Sequence, residues 1–288
     1  MRWQGRRGSS NIEDRRRSGS RMGGGGIQIG GLGLVAVVLI GWVLGVDVTP
    51  LLNGTTGGSG DGEWTQDGAE LTEQDIQVGE FVSVTLADTE EVWADIFAEA
   101  GGTYDPATLV LFKGVTQSPC GGASGATGPF YCPGDNKVYL DTAFFDTLEQ
   151  QLGAKGDFAA AYVIAHEVAH HVQNQLGILG EANQMRAQAS EAQSNAISVR
   201  VELQADCFSG VFANHAGERF GSIERGDIAE AMNAARQIGD DTLQRSAGRV
   251  PMPHTFTHGT SSQREDWFRR GYESGEIDAC DTFSARSL

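Results

Sequence analysis

Residues 157–176 read DFAAAYVIAHEVAHHVQNQL, and this stretch decides how the rest of the chain is understood. Its apolar residues recur with the period of a helix, which predicts one from Gly156 to Leu176. On such a helix His166 and His170 lie about 40° apart in azimuth and one turn along, so both imidazoles can reach one zinc ion. Glu167, beside the first of them, is placed to take a proton from a water that the metal activates. The five residues HEVAH therefore point to a zinc hydrolase. The bland alternative is a soluble helix that happens to carry two His and a Glu.

A catalytic zinc usually takes three protein ligands and keeps one position open, so a third donor is needed. The longer motif H-E-x-x-H-x-x-G-x-x-H does not supply it, because Gln173 stands where its Gly would be and Leu176 where its last His would be. Further on, VRVELQADCFSGVFANHAG (199–217) reads as a second amphipathic helix with Glu202 and Asp206 on one face. Among neighbours as apolar as Val201, Ala205, Phe208 and Phe212, a carboxylate needs a partner, and a divalent cation would be one. Glu202 is the expected third ligand. Asp206, one turn on, is expected to accept the free ring N–H of a ligand His rather than to bind metal. A solvated acidic face is the competing reading. Cys207 is rotated about 140° from Glu202 and His171 about 100° from His170, so neither is expected at the metal.

The run HEVAHHVQNQLG (166–177) followed by ELQADCFSG (202–210) resembles the bacterial family of membrane-anchored neutral zinc metallopeptidases. The likeness extends to the opening MRWQGRRGSSNIEDRRR, to the hydrophobic segment after it, and to HGTSSQREDWFRRGYESG (258–275). It implies zinc on His166, His170 and Glu202, with Glu167 as the catalytic carboxylate. His258 and Arg264 are similar to a His-x5-Arg element of membrane-associated zinc proteases whose His faces the metal cleft. This implies that His258 donates to the oxyanion of a tetrahedral intermediate. The Gly after His258 departs from the usual Pro, and a surface His remains the alternative. His254 is a competitor, and His215 is expected near a helix end.

Two functions are compatible with these residues. One is zinc-dependent hydrolysis of peptide bonds in a peptide or protein substrate. The other is a zinc-stabilised, non-catalytic binding or chaperone-like module of the cell envelope. Glu167 separates them, since a structural zinc would want a fourth protein ligand and no base beside it. Without any metal, His166, His170 and Glu202 would form an unpaired polar cluster.

The chain has 288 residues and divides by composition. Residues 1–26 form an expected basic cytoplasmic arm. Residues 27–46, IQIGGLGLVAVVLIGWVLGV, are uncharged over twenty residues and predict a transmembrane helix. Residues 47–75 read as a flexible acidic tether, and residues 76–288 as the metallopeptidase domain. Seven Arg precede the apolar run, and no Lys or Arg follows it until Lys113. That asymmetry places the amino terminus in the cytoplasm, with a single pass through the bacterial inner membrane and a periplasmic or extracellular domain. The net charge of −17 becomes −21 (14 basic against 35 acidic residues) when residues 1–47 are set aside, which argues against nucleic acid as a partner. Gly41 and Gly45 permit close helix packing, but the oligomeric state stays open.

Four cysteines suit an oxidising compartment. The expected pairs are Cys120 with Cys132 and Cys207 with Cys280, and no C-x2-C pair suggests a cysteine zinc site. Helices are expected at 89–99, 141–152, 156–176, 183–196, 198–215, 225–238 and 261–272. Strands are expected at 108–112 and in a hairpin, GPFYC-PGDN-KVYLD, turning at 133–136. The sum is a mostly helical α+β domain, zincin-like, with a small sheet. Strand 137–141 is expected to edge the cleft and accept substrate backbone.

Overall fold

A computed structural model describes residues 1–17, 70–124 and 127–288. The elements run β1 (Ile12–Asp14), α1 (Glu73–Glu99), β2 (Thr108–Phe112), β3 (Val115–Ser118), β4 (Gly121–Ser124), β5 (Phe130–Cys132), β6 (Lys137–Asp141), α2 (Ala143–Gln150), α3 (Asp157–Gln175), α4 (Ile178–Ala187), α5 (Glu191–Phe220), α6 (Asp227–Gln237), α7 (Asp240–Ser246) and α8 (Ser261–Ser274). Short 3-10 turns lie at Pro253–Thr255 and Ile277–Cys280. The chain is mostly helical with small sheets, an α+β arrangement.

α3 is the central helix. Ala159, Ala161, Ala165 and Ala169 bring neighbouring backbones close, while Tyr162, Val168 and Val172 fill the space between, and all seven are buried. α1, α4, α5 and α6 pack around it, with β5 and β6 on the remaining side. The main sheet has the order β1-β2-β6-β5, parallel across its first two pairings and antiparallel between β6 and β5. Leu109 and Leu111 of β2 face the main core, whereas Val110 and Phe112 join Ala123, Cys132 and Tyr139 in a second small cluster. Burial on both faces explains why TLVLF reads as a continuous apolar run.

α5 and α8 cross backbone to backbone. A Cβ on Gly271 would stand 1.9 Å from the Cys207 carbonyl oxygen, and one on Gly210 would stand 2.1 Å from that of Phe268. Only glycine fits at both points, and the close crossing carries Arg264 of α8 onto α5. The disulfides are Cys120–Cys132 and Cys207–Cys280, the latter tying the carboxy-terminal tail to α5. In the loop-entropy account they contribute about 3 and about 4 kcal/mol.

Several expectations need correction. Residues 1–17 are no detached arm: Met1 is buried, Trp3 meets Phe81 edge-on at 5.5 Å, and β1 extends the sheet. The first long helix begins at Glu73 rather than at 89, on a reciprocal cap between Thr72 and Asp75. The polar DTEE at 88–91 lies inside that helix, where its three carboxylates pair with Arg6, Arg7, Ser9 and Asn11. The helix expected at 183–196 is two helices broken at 188–190, and α5 runs unbroken through residue 198. β6 does not edge the sheet, since β2 and β5 flank it; the edge strands are β1 and β5. The apolar run 27–46 lies outside the described residues, as do 18–26 and most of the tether. Among the described residues no helix is long and apolar enough to cross a membrane.

Candidate metal centre

α3 and α5 converge so that one donor atom each of His166, His170 and Glu202 lies within 4.8 Å of the others. The rings of His166 and His170 meet edge-on with centroids 4.8 Å apart, as their spacing of four on a helix requires. His166 Nε2 is 3.1 Å from Glu202 Oε2, and His170 Nε2 is 3.6 Å from Glu202 Oε1. Both Nε2 atoms thus face the same carboxylate. Each Nδ1 is turned the other way. That of His170 donates to Gln173 Oε1 at 2.8 Å, and that of His166 lies 2.9 Å from Asp206 Oδ1, off the direction of a well-aligned hydrogen bond.

This orientation tests whether a metal fits. Two imidazole lone pairs pointing at a carboxylate repel one another unless a proton or a cation stands between them. In the metal-free protein a proton has to serve: burial lowers the His166 pKa, but the Asp206 and Glu202 carboxylates outweigh it and push it up to about 9. The same imidazoles hold Glu202 well below the usual carboxylate range, against the effect of its burial. Two nitrogens and one carboxylate match the donor set of a catalytic zinc with one position open.

Behind the donors lies a buried network. Asp206, with no exposed surface, accepts from Arg264 Nε at 2.8 Å, from Arg264 Nη2 at 2.9 Å and from the Tyr162 hydroxyl at 2.5 Å. The Arg264 Nη2 also donates to the Tyr162 oxygen, and its Nη1 to the Ile238 carbonyl. The fork fixes Asp206 and so fixes the carboxylate beside His166. On the other ligand, Gln173 binds His170 and donates to the Val201 carbonyl and to Gln204 Oε1. The residue that disqualified the longer motif is thus the one that orients the second imidazole.

Glu167 is buried on α3 between the two His. Its burial raises its pKa and Glu202 adds to this, while His170, His166 and the Tyr131 backbone oppose it. Tyr131 belongs to β5, so the sheet edge and the carboxyl share one locality. His258 sits on the loop before α8, with Nδ1 held 3.1 Å from Asp240 Oδ1. The other oxygen of Asp240 accepts the backbone amides of Thr257, His258 and Gly259 at 2.8, 2.7 and 3.0 Å. With Nδ1 so occupied, Nε2 is the free edge of the ring, and the charges of His258 and Glu202 act on one another.

The remaining histidines stand apart from the donors. His171 donates through Nε2 to the Asp105 carbonyl and touches Tyr131 OH, a packing role. His215 bonds the Gly275 carbonyl, and His254 is exposed on a 3-10 turn. Asp240, Gln173 and Tyr162 were not among the sequence candidates. Their roles depend on partners at least 17 residues away for Asp240 and 28 or more for the cross-helix bonds of Gln173 and Tyr162. A second acidic group, Asp157, Asp227 and Glu230, lies around the Met1 ammonium, which is 2.6 Å from Asp157.

Comparison with known proteins places the chain in a family whose description names zinc. A family model described as "Putative neutral zinc metallopeptidase" matches residues 1–283. The chain is 48% identical to "Uncharacterized protein YpfJ" of Escherichia coli (strain K12), across 98% of this chain and 99% of that protein. It is 45% identical over 188 residues to "Uncharacterized protein Mb2605" of Mycobacterium bovis, covering 62% of each. No solved structure matches it. The chain belongs to the family described as "Putative neutral zinc metallopeptidase".

Proposed function

We propose that this protein is a zinc-dependent peptidase that cleaves peptide bonds with Glu167 as the proton carrier, in a membrane-associated domain facing an oxidising compartment. The observation that carries this reading is the meeting of three donors, His166, His170 and Glu202, within 4.8 Å, with a buried carboxyl beside them on the same helix. A zinc ion held there supplies Lewis acidity toward a carbonyl and lowers the pKa of water. Glu167, raised by its burial, takes the proton of the attacking water and returns it to the leaving amine. His258, held by Asp240, offers Nε2 toward the developing oxyanion. Arg264, Asp206 and Gln173 hold the imidazoles in register. The outer edge of β5, whose Tyr131 backbone meets Glu167, suits an extended peptide added as a further strand beside the site. The two disulfides favour the exported location.

The test is Glu167→Gln, measured for zinc content and for degradation of an unstructured protein. Full zinc with turnover reduced at least about a hundredfold supports the reading. Full zinc with undiminished proteolysis overturns it. Wild-type protein that binds zinc but cleaves nothing would favour the binding module.

A further inference from the structure

Residues 1–17 are built into the domain by backbone and side chain alike. β1 pairs in parallel with β2 through Ile12↔Leu109, Glu13↔Val110 and Asp14↔Leu111, and the ladder continues as Leu109 N–H donates to the Asn11 carbonyl and Arg15 N–H to the Leu111 carbonyl. Upstream, Ser9 N–H donates to the Ser83 carbonyl of α1. Arg6 forks onto Asp88, both contacts 2.6 Å, with its guanidinium 4.4 Å above the Phe220 ring. Asp88 is nearly inaccessible, so losing Arg6 would strand a buried carboxylate. Glu13 returns an ion pair to Lys137 of β6 at 2.7 Å. The arginines that by composition look like a membrane flank are therefore largely engaged: Arg6 with Asp88, Arg7 with Glu91, Arg15 with Glu13 and Arg16 with Asp14.

We propose that residues 1–17 and residues 70–288 occupy the same side of any membrane this protein meets. Paired strands lie about 4.8 Å apart, and a hydrocarbon layer about 30 Å thick cannot stand between them. Exchange of β1 between two copies does not escape this, because both copies would share one topology. The cysteine pairs add which side: Cys120–Cys132 and Cys207–Cys280 belong to an oxidising compartment, and the amino terminus belongs there with them. The basic flank alone would put the amino terminus in the cytoplasm, and the pairing of β1 with β2 argues against that.

The geometry offers a direct test. A Cβ built on Gly8 lies 3.3 Å from the Cβ of Ser83, close to the spacing of about 3.5–4.5 Å that a disulfide takes. The full-length Gly8→Cys, Ser83→Cys protein is produced in a Gram-negative host, free thiols are alkylated before lysis, and disulfide-linked peptides are mapped by mass spectrometry. The expected result is a disulfide between positions 8 and 83 about as complete as the two native ones, without added oxidant. Native disulfides formed while the thiol at position 8 remains alkylated would overturn the proposal. A second measurement does not depend on that bridge. Full-length Ser10→Cys and Val250→Cys, both at exposed positions, are treated with a membrane-impermeant maleimide in intact spheroplasts and after lysis. Both labelled in the intact spheroplasts supports a shared, oxidising side, whereas both protected until lysis overturns the assignment to that side. One labelled and the other protected refutes the shared side.

Discussion

Replacing Arg264 with Met is the perturbation whose size the structure sets most closely. Arg264 is 2% exposed and Asp206 is fully buried, and two guanidinium bonds of 2.8 and 2.9 Å join them. Met roughly preserves the volume of the stem but leaves the Asp206 carboxylate with only the Tyr162 hydroxyl and the neighbouring His166. Breaking one side of a buried ion pair costs about 3–5 kcal/mol, most of it the desolvation of the charge left behind. For a folded unit of this size that amounts to a fall in melting temperature on the order of 10 °C. The assay is urea unfolding and thermal melting of the zinc-free protein, with Asp206→Asn and the double variant completing a cycle. If the argument holds, the double variant is less damaged than the sum of the singles by about 2 kcal/mol or more. A cost below about 1 kcal/mol for Arg264→Met, or strict additivity, would refute the network as described.

Three further outcomes follow from named contacts. Thr72, by its hydroxyl and then its amide, together with Lys113, lowers the Asp75 pKa to about 2. A folded pKa below the unfolded value gives stability that is present above about pH 4 and lost as pH falls through about 2. Asp75→Asn should therefore cost on the order of 1 kcal/mol at pH 7 and converge with wild type near pH 2, and a gap independent of pH in denaturant titrations would contradict this. Because the metal-free His166 keeps its proton up to about pH 9, zinc must displace it, so apparent zinc affinity should climb toward tenfold per pH unit between about pH 6 and 8. Calorimetry in buffers of different ionisation heat should find about one proton released, and a flat pH dependence would remove the argument. Asp240→Ala takes the acceptor from three amides and from His258, and is expected to lower kcat by about 10–100-fold with zinc content unchanged. Unchanged kcat would detach His258 from the reaction.

What could be read from the sequence was local. The two His share one face of a helix with Glu167 beside the first of them, and Glu202 and Asp206 share a face of another, so local spacing alone was informative. The hairpin turning at 133–136 and the bridge across the loop before it were legible for the same reason, closely spaced and rich in turn residues. Once Cys120 and Cys132 were joined, Cys207 and Cys280 were left to pair with each other. What escaped depends on partners remote in sequence. Asp88 and Glu91 imitate a helix start but lie inside α1, where Arg6 and Arg7, some eighty residues earlier, neutralise them. Gln173 gives no sign of orienting His170 until α5 is in place against α3. Nothing in KVYLD reveals that β2 will occupy its second edge, nor in the opening IED that it forms a strand at all.

The convergence of α3 and α5 on one metal is the claim on which the rest stands. Its most direct measurement is the zinc stoichiometry of purified wild type beside Glu202→Ala, after equilibration at one free-zinc concentration. About one zinc per chain in wild type, and a small fraction of that in Glu202→Ala with both disulfides intact, is the predicted result. Equal zinc in the two proteins would remove Glu202 from the centre and contradict the account.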